Sequence, residues 1–295
     1  MTTVSITSRE GSSQTPRQNR RNVLGDGLSP YVSGGALAVI AAPAAGLTVA
    51  FPSLLHGVAV SNGNVRGTAV ALLAVGLPVL IVAMIGTSRG STRAFVVWLG
   101  TLGYLIYQAV LLCFATPMNN LFLLYVAYLG MAVWSTVMLL RATDLRAFAA
   151  RLSDAVPARG IAAAALILVV LNAAAWLWKI VPATFSSRPV SVLDGTGLVV
   201  NPVYVQDLAI WLPLLTVAAV ACWRRESWGL LITAAMLALF ILESISVSVD
   251  QWFGSHADPT SPVSSMSMTP VFAVIAAITA GLLAWFLRAV DGAPG

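Results

Sequence analysis

The sequence predicts an all-α, polytopic transmembrane helical bundle of about eight spans. Three observations predict it: a composition too apolar for water, eight long apolar segments, and arginines gathered in alternate connections. Hydrophobic residues make up 58% of the chain and charged residues 9%, with a mean hydropathy of +0.87. A soluble domain carries roughly 25% charge, because water must solvate its surface. A large soluble helical core would also need polar stripes at helical spacing, and the long apolar runs lack them.

Residues 1–30 are polar, rich in Ser, Gln, Asn and Arg, and read as a disordered cytoplasmic tail. Arg20-Arg21 resembles a twin-arginine export signal, but a full span follows it and seven more come after. The apolar segments fall at 33–55, 67–87, 94–115, 119–140, 160–182, 205–223, 227–248 and 268–288. Each is about 19–23 residues, the length a helix needs to cross a hydrocarbon core of roughly 30 Å. Lipid cannot satisfy exposed backbone groups, so the segments must be helices. Pro43, Pro78 and Pro213 lie inside spans, where neighbouring helices tolerate a kink.

The spans divide into a first half, 31–141, and a second, 160–289, with a short tail at 290–295. Between them, 142–159 reads as a cytoplasmic linker with a short amphipathic helix, Leu145, Phe148 and Leu152 against Arg146, Arg151 and Asp154. Gly76-Leu77-Pro78 precedes Arg89 as Trp211-Leu212-Pro213 precedes Arg224, each proline standing 11 residues before its arginine. These matched landmarks suggest a 4+4 direct repeat.

Orientation follows from the cations. Thirteen of the 16 Lys and Arg residues lie before the first span, in the second, fourth and sixth connections, or after the last span. The other connections hold only Arg66 and Arg188, with Lys179 close by. The richer set is cytoplasmic, which puts both termini inside and the protein in the cytoplasmic membrane of a bacterium. Cys113 and Cys222 then lie near opposite faces, too far apart to form a bridge, which needs Cα atoms within about 7 Å.

With depth assigned, the costly polar residues gather in the outer half. Glu243 lies in span seven with Asp250 beyond it, Asp207 opens span six, Asn172 and Lys179 are in span five, and Gln108 is in span three. An ionisable side chain in the bilayer marks a functional site by default. Glu243, Lys179, Asp207, Gln108, Asn172 and Asp250 are therefore the candidate ligand-binding residues, with Glu243 expected to pair with Lys179. The alternative is a structural salt bridge between helices or snorkelling to the headgroups. Tyr104, Tyr107, Tyr125 and Tyr128 have an interfacial explanation.

The chain has no Walker loop, GxGxxG, HExxH, GxSxG or CxxC, and no histidine pair for a haem. His56, His256, Met118, Met266 and Met268 share the outer side but repeat no ligand spacing, so no metal or cofactor is assigned. The dispersed arginines argue against nucleic acid. The leading reading is a small-molecule transporter or ligand-binding membrane protein whose pocket opens to the outer face. The alternatives are a membrane-embedded enzyme acting on a lipid or quinone, and a non-catalytic subunit or assembly factor of a membrane complex. Enzymatic chemistry is the less favoured reading.

Overall fold

The computed structural model describes residues 23–24 and 27–291. Eight helices are long and apolar enough to cross a membrane: α1 (Ser29–Ala50), α2 (Ala59–Ser88), α3 (Thr92–Phe114), α4 (Phe122–Ala142), α5 (Ala158–Thr184), α6 (Pro202–Trp223), α7 (Ser227–Ala257) and α8 (Met268–Arg288). The chain is thus a multi-pass helical bundle, as the apolar lengths require. Among the described residues the only β-type pairings are two isolated bridges.

Helices α3 and α7 form the centre, with 72% and 67% of their most apolar stretches buried, against 17% for α5 and 22% for α8. Helix α7 packs on α2, α3, α6 and α8. Lipid tails are as apolar as leucine, so close packing and polar ties must hold the helices together. Glycine supplies the first. A Cβ on Gly63 would stand 2.7 Å from the Phe253 carbonyl oxygen, and one on Gly67 would stand 2.6 Å from the Asp250 Cα. Hydroxyl groups supply the second: Thr48 and Tyr125 join α1 to α4 at 2.7 Å, and Ser135 donates to the Ser33 carbonyl at 3.0 Å.

Helices α2 and α6 each contain one π-helical turn, Leu72–Gly76 and Asp207–Trp211. Each turn ends directly before a Leu-Pro pair. A proline inside a helix clashes with the carbonyl four residues earlier, which is Ala74 for Pro78 and Ala209 for Pro213. Both of those carbonyls lie in a π turn, whose wider winding makes room.

The turns that follow correspond closely, residue n in one matching n+135 in the other. Gly90 and Arg225 both adopt positive φ, 85° and 62°. Arg89 N–H donates to Ile85 and Arg224 N–H to Val220, each at 3.2 Å. Ser91 N–H donates to Gly86 at 3.1 Å and Glu226 N–H to Ala221 at 3.0 Å.

Both ends of the described chain meet on one face of the bundle, here the terminal face. Leu24 pairs with Thr143, and Asp144 N–H donates to the Val23 carbonyl at 2.9 Å. At the other end Asp291 accepts the Thr92 N–H at 2.9 Å and approaches Arg151 at 3.4 Å. Val23 and Leu24 are buried, so their part of the polar N-terminal segment is docked, while residues 1–22 lie outside the described residues. Between the halves the short helix is Leu145–Ala149; Phe148 faces inward and Leu145 is exposed.

On the distal face, opposite, the 185–201 connection reaches across the bundle. Ser61 donates to the Thr196 carbonyl at 2.6 Å, and Ser264 donates to Asn64 at 2.8 Å. Two span ends differ most from the sequence reading: α2 begins at Ala59 rather than at 67, and α7 runs on to Ala257 rather than ending at 248. Arg66, expected in a connection, lies two turns inside α2, because the polar stretch Ser61–Arg66 is helical and packs on α7 and the distal loops. Hydropathy alone ends a span at its first charge, whereas this helix continues through it.

Candidate functional site

The polar residues of the distal half converge on α3, α6 and α7. On α3, Tyr104, Tyr107 and Gln108 share one face at i, i+3 and i+4. On α7, Glu243, Ser246 and Asp250 share another. Gln108 Nε2 donates to Glu243 Oε2 at 2.5 Å, and the Tyr104 hydroxyl and Ser246 Oγ lie 3.2 Å apart. Gln108 is fully buried and Glu243 is 9% exposed, so the pair is occluded within the bundle.

Asp207 begins the π turn of α6. Trp176 of α5 donates its indole N–H to Asp207 Oδ2 at 2.8 Å. Trp176 itself packs on Tyr204, ring centroids 5.0 Å apart. Tyr107 approaches the same carboxylate and lies near-parallel to Trp211, 6.2 Å between centroids. Trp211 N–H in turn donates to Gln206 Oε1 at 3.0 Å. Asp207 and Asp250 are near enough for their charges to bear on Glu243.

Three buried polar atoms of this region have no hydrogen-bond partner among the described residues: Gln108 Oε1, Asp207 Oδ1 and Gln206 Nε2. A buried group left without its hydrogen bond costs about 1–3 kcal/mol, so such orphans ask for a complement. The carboxylates and acceptors present can hold a cation or a proton. Among the described residues no group of three His, Cys, Asp or Glu side chains is disposed to hold a metal ion.

Of the six residues singled out from sequence, Gln108 and Glu243 are in direct contact and Asp207 is close to them. Asp250 lies on the same face of α7, half-buried where α2 crosses it, and accepts from Gln251 at 3.2 Å. Lys179 does not join them, contrary to expectation. It is exposed at the distal end of α5, beside a groove of about 480 Å³ that Pro182, Ser186 and Ser191 also line. The ion pairs among the described residues are Arg151–Asp291 and Arg188–Asp194, so the Glu243–Lys179 pair is absent. The reason is position: α5 has no buried residue beyond Ala165, so its distal half stands at the bundle edge. Asn172 is half-buried there and makes no side-chain hydrogen bond among the described residues.

Sequence reading missed the aromatic surround of Asp207, Trp176 above all. Tryptophans of membrane proteins collect at interfaces for solvation reasons alone, so composition did not mark this one. The offset between the matched prolines, 135 residues, marked other contacts. Gln108 and Glu243 stand 135 residues apart, as do Ser61 and Thr196, which also bond each other. Gly100 and Ala235, with the same offset, meet backbone to backbone.

No protein-family model, curated protein or solved structure matches the chain.

Proposed function

We propose that this protein is a small-molecule transporter or ligand-binding membrane protein whose site is the Gln108–Glu243–Asp207 cluster. Its distal face is the outside of a bacterial cytoplasmic membrane, because the terminal face carries the arginine-rich connections. The two halves are a 4+4 direct repeat about an axis along the bundle. In a two-fold arrangement, residues on the axis touch their own equivalents. Three such touching pairs, Ser61–Thr196, Gln108–Glu243 and Gly100–Ala235, support that axis at three depths.

The observation that carries the reading is the Gln108–Glu243 pair itself. It joins equivalent positions of the two halves, keeps an orphan acceptor, and lies beside a second orphan on Asp207. Repeat-built transporters bind substrate at the interface between repeats. A charge at mid-depth costs roughly 2.5–3.5 kcal/mol on insertion scales, and among the described residues no cation pairs with these carboxylates. A purely structural tie would use an amide or hydroxyl at far lower cost.

The test is uptake or binding by the protein reconstituted in liposomes, with and without an imposed proton gradient. Glu243→Gln keeps an oxygen for Gln108 to donate to, so thermal stability should hold while flux or binding is lost. Full activity in Glu243→Gln, or no uptake and no binding by the parent protein, would overturn the reading.

A further inference from the structure

We infer that the site takes an organic ammonium cation, with Asp207 as its counter-charge and Trp176, Tyr204, Tyr107 and Trp211 as its aromatic wall. This rests on the ligand-site reading above and names the class of ligand.

The first argument is the sign of what is missing a partner. Asp207 is 3% exposed; Trp176 donates to one oxygen, Tyr107 lies beside the carboxylate, and Oδ1 has no hydrogen-bond partner among the described residues. Gln108 spends its N–H on Glu243 and leaves its carbonyl oxygen unpartnered. Both are acceptors, so their complement is a donor. The second is charge. Asp207, Glu243 and Asp250 share the distal half of the bundle, and among the described residues no basic side chain is within ion-pair distance of any of them.

The third separates an organic cation from a metal ion. A hard metal wants six or more oxygens in close geometry, and no such acid cluster exists among the described residues. Asp207 instead sits among indole and phenol rings, Trp176 against Tyr204 and Tyr107 against Trp211. Aromatic faces attract ammonium groups, and more strongly where water is excluded. The remaining orphan, Gln206 Nε2, is a donor and suits a hydroxyl or carbonyl carried by the same ligand.

The experiment uses the full chain in nanodiscs, with tetramethylammonium and methylammonium chloride as probes. Sodium chloride, potassium chloride and sodium acetate at equal ionic strength are the comparisons. Thermal unfolding and tryptophan fluorescence are followed together. The ammonium salts should raise the midpoint saturably and change the fluorescence, and the metal chlorides should do neither. Asp207→Asn should weaken the response by about thirtyfold or more, the usual loss when one member of a buried charge pair goes. Trp176→Phe removes the indole N–H that Asp207 accepts, so it should weaken the stabilisation and reduce the fluorescence change together; it carries the test if Asp207→Asn fails to fold. Ammonium salts acting no differently from sodium chloride overturn the inference. If acetate then stabilises saturably and Glu243→Gln abolishes that effect, the ligand site stands and only its assigned chemistry is wrong. If no salt binds and liposomes show no uptake, both readings fall.

Discussion

Glu243 illustrates how one side chain is set by its neighbours. Its carboxylate accepts from Gln108, and replacing that amide by leucine removes the donor while the acid stays buried. Gln108→Leu should cost about 1–3 kcal/mol, the range for a buried group left unsatisfied. Adding Glu243→Leu should return part of the loss, because two apolar side chains can pack where one orphaned acid cannot. Denaturant unfolding in detergent of the four proteins measures the coupling; additive losses would mean that the contact contributes nothing. Gly90 offers a backbone counterpart. It adopts φ 85° with open space around its would-be Cβ, so Gly90→Ala isolates the left-handed penalty. The expected destabilisation is about 1–2 kcal/mol. At this scale the sequence singled out Glu243 by its cost in lipid but misnamed its partner. Depth can be counted along a helix; the direction in which a side chain points across the bundle cannot.

Among elements, contact between α2 and α7 depends on small residues. Gly67→Leu would drive a side chain into the backbone of α7 at Asp250, 2.6 Å from the new Cβ. Overpacking of this kind costs about 1–3 kcal/mol and occasionally more. Gly35 on α1 has nothing within 4 Å, so Gly35→Ala should raise stability by about 0.5–1 kcal/mol through helix propensity. Thermal midpoints of the two variants should therefore move in opposite directions, and a fall in both would contradict the assigned packing. The span limits were legible to within a few residues at most ends. They failed at Arg66 and beyond residue 248, where helices continue past the apolar stretch. The π turns had no sequence marker beyond the prolines they accommodate.

For the whole molecule, the even number of spans makes location checkable. A reporter active only outside the cytoplasm, fused after Ser187 or Thr260, should be active; fused after Ser91 or Asp154, it should be silent. The inverse pattern would reverse the orientation, and a mixed pattern would break the eight-span threading. Cys113 and Cys222 are both free and buried. A non-permeant thiol reagent should reach Cys113 first, near the distal end, and only after partial opening of the bundle. Faster labelling of Cys222 in intact cells would contradict the same orientation.

The sequence by itself determined that this chain is a multi-pass helical bundle, with eight segments long and apolar enough to span a membrane. That property is a sum along the chain: apolar length against bilayer thickness. Tertiary structure alone decided which polar residues meet. In water an apolar stripe shows which face of a helix turns inward, but in lipid both faces are apolar and no stripe records the rotation. Packing leaves Lys179 exposed at the distal end of α5 and brings Trp176 to Asp207, while α3 and α7 bring Gln108 to Glu243. The close approach of Gly63 and Gly67 to the α7 backbone is equally invisible to hydropathy.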